Sequence, residues 1–191
     1  MDSDAYDLDH LTRSVHFTFQ SQRRLAERAL AQVPDADFLT TLPGERDPLA
    51  IVVKHVGGNL RSRWRAFLTT DGEKPDRHRD REFELREGDT RSSLMELWEA
   101  GWAELDATFE ALTPADWTRT ITIRGEPHTV TEAALRSLAH TSYHVGQIVG
   151  IARRIAGDAW QTLSIPKGES EAFRLNPTAY LNPHPGDPGA H

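Results

Sequence analysis

The chain has 191 residues, a formal net charge of −7 and no cysteine. At about 150 residues per domain the length excludes two full catalytic domains, and the missing thiols exclude disulfides, thiolate metal ligands and a cysteine nucleophile. The negative balance argues against nucleic acid as a partner, and no apolar run approaches the roughly 20 residues of a membrane span.

Residues Leu8, Leu11, Val15, Phe19, Ala26, Ala29 and Val33 recur at three- and four-residue steps, the spacing of an amphipathic helix that Pro34 ends. Before it, Met1 to His10 carries four aspartates and no basic residue. That is the wrong charge for a secretory leader, and we expect a cytoplasmic protein. Residues 34–47 read as a loop closing on Asp47-Pro48, an N-cap followed by a first helical residue. A second helix then runs from Pro48 to about Leu68 with Gly57-Gly58 inside it. Each glycine costs about 1 kcal/mol against alanine, so the pair points either to close packing on a neighbouring helix or to clearance beside a ligand.

Residues 69–90 are polar, with acids and bases mixed in Arg77-His78-Arg79-Asp80-Arg81-Glu82, and read as a solvated connection. A nucleic-acid patch would need this stretch to join Arg61, Arg63 and Arg65 on one surface. The third helix is a single stripe of Leu94, Leu97, Trp98, Gly101, Trp102, Leu105, Phe109 and Leu112, entered from Asp89-Thr90 and left at Thr113-Pro114. Trp117 to His128 alternates briefly and turns at Arg124-Gly125, predicting a short strand or hairpin. Thr129 and Glu132 form a capping box for a fourth helix from about Val130 to Gly157, whose two stripes predict burial all round.

Four helices with little strand predict an all-α fold, a four-helix bundle. Fully extended, the connection 69–90 spans about 70 Å. That exceeds a helix of ~30 Å and lets the second and third helices lie parallel. We divide the chain into one domain, residues 1–175, and a proline-rich arm or tail, residues 176–191.

The chemistry concentrates in His140-Thr141-Ser142-Tyr143-His144. Histidines four apart share a helix face and can point at one ion, although each can instead hydrogen-bond a carbonyl or carboxylate. The pair is not a zincin motif, since no glutamate follows His140. A third ligand must come from elsewhere, and His55, among Ile51, Val52 and Val56, is the best candidate. Three imidazoles leave an open position on a divalent ion, as in catalytic sites. Asn59, one turn on from His55, and Glu126 and His128 before the fourth helix are candidates to position a ligand or move a proton. Lys167, between Pro166 and Gly168, is a candidate to bind an anionic cosubstrate or substrate.

His55, the run Leu138 to Ile148, Lys54 to Trp64, Arg124 to Val130 and Ser164 to Gly168 together resemble the DinB-like (DinB/YfiT-like) superfamily of metalloenzymes, most strongly an uncharacterised branch of it. The resemblance runs from about residue 8 to 175. It implies an up-down-down-up bundle, a divalent metal on His55, His140 and His144, a homodimer, and in some members thiol-dependent transfer or isomerisation with a low-molecular-weight thiol as cosubstrate. We therefore expect a metal-dependent transferase or small-molecule hydrolase, holding zinc or nickel, with iron or manganese as alternatives. The competing reading is a non-catalytic metal- or small-molecule-binding, stress-related dimer.

Overall fold

The computed structural model describes residues 3–176. One compact unit ends at Gly157 and a second begins at Asp158. The first unit holds, in chain order, α1 (Ser3–Leu30), α2 (Asp35–Phe38), α3 (Leu49–Trp64), α4 (Arg91–Ala111), the strands β1 (Thr120–Ile123) and β2 (Glu126–Thr129), and α5 (Val130–Ala156). The second contains α6 (Ser170–Leu175). Of the expected tail, only Asn176 lies among the described residues; His184, His191 and the late prolines lie outside them.

The four long helices α1, α3, α4 and α5 pack together, and local chemistry explains where they start. At α4, the Thr90 hydroxyl accepts from the Ser93 amide at 3.1 Å while the Ser93 hydroxyl accepts from the Thr90 amide at 2.9 Å. At α5, Thr129 and Glu132 make the same reciprocal pair, satisfying amides that have no partner within the helix. α3 starts one residue later than expected: Pro48 is extended, with ψ 162°, and serves as the N-cap in place of Asp47. It also ends early, at Trp64, because Arg65 is extended and Ala66 takes the left-handed φ of 47°.

The stripe on α4 is core as expected, with Trp98, Trp102 and Leu105 fully buried. On α5 the expectation of burial all round fails. Leu135 is 49% exposed and Tyr143 65% exposed, although Val145 and Ile148 are buried, so part of the helix faces outward. The residues read as a loop after Pro34 contain α2, whose Phe38 is fully buried beneath the Arg91 guanidinium. Arg91 also donates to the Leu30 and Val33 carbonyls, at 2.7 and 2.6 Å, closing the C-terminal end of α1.

Side-chain pairings give the directions. A Cβ on Gly57 would stand 3.0 Å from the backbone of Leu97 and Trp98, one on Gly101 would stand 2.6 Å from the Gly57 carbonyl, and the Thr108 hydroxyl donates to the Trp64 carbonyl at 3.0 Å. Residue numbers therefore rise together along α3 and α4. Along α1 and α4 they run oppositely, His16 meeting Asp106 and Glu27 meeting Trp98. They also run oppositely along α3 and α5, where His55 meets His140 and Trp64 meets Ser137. A parallel α3–α4 pair requires the chain to return along the helices between them, which residues 65–90 do.

That return segment is not the solvated connection its composition suggested. Asp71 accepts from the Arg124 and Gly125 amides, both at 2.8 Å, and the Gly72 amide donates to the Thr122 carbonyl at 2.8 Å. The segment thereby docks on the hairpin turn, where Arg124 and Gly125 have φ of 57° and 76°, the left-handed pair that a two-residue hairpin loop requires. Backbone amides hold the Asp71 carboxyl well below the usual range, against the opposing effect of its desolvation.

Candidate metal centre

His55 lies inward on α3, 4% exposed, and His140 and His144 lie one turn apart on α5, half-buried. The antiparallel α3–α5 contact brings the three together: one ligand nitrogen from each lies within 4.8 Å of the others. The His55 and His140 Nε2 atoms stand 3.3 Å apart, and the ring centroids of His140 and His144 are 4.5 Å apart. Nitrogens this close can share one ion, for which Zn–N distances are about 2.0 to 2.1 Å.

The rings are oriented by groups outside the triad. Glu82 Oε2 lies 2.8 Å from His55 Nδ1. Burial pushes the Glu82 carboxyl up, but hydrogen bonds from Arg77 and His55 more than reverse this and hold it low, hence ionised. A carboxylate only accepts, so Nδ1 of His55 carries the proton and its Nε2 lone pair faces the other two rings. On His144, Nδ1 lies 2.6 Å from Gln147 Oε1, whose amide is oriented by Nε2 donating to the Tyr143 hydroxyl at 3.4 Å. This again leaves Nε2 free to ligate. A metal-binding histidine usually has its second nitrogen held in this way.

A family model described as a protein of unknown function, DUF1572, matches residues 8–169. The chain belongs to the DUF1572 family. That family is part of the broader DinB-like superfamily. No curated protein and no solved structure matches the chain.

In this DUF1572 chain two of the imidazoles, His140 and His144, are biased toward the neutral form, the form that binds metal. Burial, then the charges His144 and His55 would carry, lowers the His140 pKa to about 3. Burial likewise lowers His144, against the raising effect of the hydrogen bond it donates to Gln147 Oε1. Glu82 and Arg77 were not singled out by sequence reasoning. They come from the turn Arg79–Phe83 and the loop before it, where Arg77 donates to both Glu82 oxygens at 2.8 Å. Phe83, beside Glu82, packs its ring on His55 at 4.7 Å between centroids. One signal was available: Gly58, which faces this segment.

The two glycines divide the two explanations offered for them. Gly57 meets α4 backbone, whereas a Cβ on Gly58 would stand 2.6 Å from Glu82 Oε1. Gly57 is therefore a packing glycine, and Gly58 clears room for the carboxylate that holds His55.

The other candidates are placed as follows. Asn59 is 8% exposed on α3, one turn beyond His55. Glu126 is exposed on β2, and its carbonyl lies 3.1 Å from His128 Nδ1. His128 Nε2 accepts from Arg136, also at 3.1 Å. Lys167 is exposed in a turn of the second unit, closed by the Glu169 amide on the Pro166 carbonyl at 3.1 Å. Among the described residues, no helix is long and apolar enough to cross a membrane.

Proposed function

We propose that this chain is a divalent-metal-dependent enzyme, acting as a thiol-dependent transferase or small-molecule hydrolase from a site on His55, His140 and His144. The observation that carries the reading is the convergence of three imidazole nitrogens within 4.8 Å, two of them oriented through their second nitrogen by Glu82 and Gln147. Zinc or nickel suits such a set, with iron or manganese as the alternatives. When bound, the ion supplies the lowered pKa of a water or thiol at an open position.

The chain's own part is to aim the imidazole nitrogens, keep His140 and His144 neutral through burial, and hold the Glu82 charge against Arg77 rather than against solvent. Without cysteine, the protein supplies no thiol of its own, which accords with an external low-molecular-weight thiol. In this reading Asn59 positions a ligand, Glu126 and His128 move a proton at the start of α5, and Lys167 binds an anionic group. The helix directions fit an up-down-down-up bundle, and the reading includes a cytoplasmic homodimer working on a small molecule.

The deciding measurement is metal content by elemental analysis of the purified chain and of His144→Ala. We expect near-stoichiometric metal in the first and loss in the second. Metal retained at full stoichiometry by His144→Ala would refute the assignment.

A further inference from the structure

Glu82 and Gly58 also line a cavity of about 200 Å³ that none of the three histidines touches. Its wall carries seven basic side chains against two acids, Asp76 and Glu82, in a chain whose net charge is −7. Both acids are already committed, Asp76 to Arg65 and Glu82 to Arg77. Arg61 and Arg81, both exposed at the rim, have no ion-pair partner among the described residues.

The decisive group is Lys74. It is 5% exposed, and its ammonium donates to the Asp71 carbonyl at 2.5 Å, while no carboxylate among the described residues pairs with it. Its backbone amide is fastened to the Ser62 hydroxyl at 3.1 Å. The next residue on α3, Arg63, outside the cavity wall, is a second buried cation, 8% exposed, whose Nη1 has no hydrogen-bond partner among the described residues. Burial, followed by the neighbouring cations, lowers both pKa values, Arg63 to about 10. Burying a charge with no carboxylate in direct contact is expensive, and Lys74 lines an empty space.

We propose that this cavity binds a small oxyanion, the phosphate or carboxylate group of a small molecule, with the Lys74 ammonium as buried anchor and Arg61 and Arg81 reaching it from the rim. Its volume is below the roughly 300 to 1,000 Å³ of pockets for drug-sized ligands, so it takes a single charged group rather than a nucleotide cofactor. Arg61, Arg65, Arg77 and Arg81 do meet on one surface, but it is concave and small rather than a track for a polyanion. The site stands on the cavity's own residues and does not depend on a metal at the histidines.

The test is calorimetric titration of the full chain with inorganic phosphate and, separately, with succinate, at low salt. We expect at least one of them to bind the wild type and His144→Ala alike, the tighter of the two identifying the group recognised. Lys74→Met should weaken that binding by about tenfold or more, the scale of one lost charge-assisted hydrogen bond, with metal content unchanged. A folded Lys74→Met that binds as the wild type does overturns the proposal. Should Lys74→Met fail to fold, the exposed double variant Arg61→Gln/Arg81→Gln decides: several-fold weakening supports the site, and unchanged binding overturns it. Failure of both anions at millimolar concentration, or tighter binding of a short single-stranded oligonucleotide, also overturns it.

Discussion

Glu82 shows how a residue ordinary in sequence becomes decisive in space. It sits in a run of mixed charge that composition assigns to solvent, yet it is 7% exposed, bonded to Arg77 through both oxygens and to His55 Nδ1. Replacing Glu82 by Gln keeps the shape but removes the charge and lets an amide donate where only an acceptor stood. We expect Glu82→Gln to bind metal about 10- to 100-fold more weakly, measured by competition with a chelator of known affinity. Unchanged affinity would mean that the carboxylate does not set the His55 tautomer. The three histidines were legible because HxxxH spacing is a property of the helix itself and His55 stood alone among apolar neighbours. Glu82 was not legible, since its distance from His55 in the chain is bridged only by tertiary packing.

The α3–α4 contact brings backbone against backbone, with Gly101 seated on the Gly57 carbonyl. A methyl group there would stand 2.6 Å from that oxygen, and backbone cannot swing aside as a side chain can. Gly101→Ala is therefore expected to destabilise the fold by about 1 to 3 kcal/mol through overpacking. Gly146→Ala, on α5, meets nothing within 4 Å and is expected to stabilise by roughly 0.5 to 1 kcal/mol through helix propensity. Urea denaturation of both variants checks the pair, and equal effects would remove the packing argument. The capping box at Thr129 and Glu132 was readable because hydroxyl, amide and carboxylate lie within one turn, whereas at Thr90 only the helix entry was readable and the Ser93 partner was not. The early end of α3 was not, because the left-handed Ala66 follows from where Phe67 must pack, its ring 4.5 Å from that of Trp64.

For the whole molecule, acid sensitivity follows from the buried imidazoles. His140 falls from a free value near 6.5 to about 3, and His144 is lowered as well. Below pH 6.5 the unfolded chain thus binds protons that the folded, metal-free chain refuses, and stability falls as pH drops through that window. The depressed Asp116, at about 2, and Asp71 add losses at lower pH, where their unfolded forms protonate first. Metal-free protein should therefore lose stability from pH 6.5 downward, and His140→Gln should flatten the slope between about pH 4 and 6.5; thermal melts across that range measure it. Sequence by itself determined the number and order of the long helices, the hairpin, the cap of α5 and the three imidazoles, since each depends on periodicity or spacing within a few residues. The long connection already allowed α3 and α4 to lie parallel; only the tertiary structure decided that this connection docks on the hairpin, that Glu82 and Arg77 leave solvent, and that Lys74 faces a cavity. Those outcomes rest on the return segment docking against α3 and the hairpin, and contacts between distant parts of a chain leave no periodic trace in it.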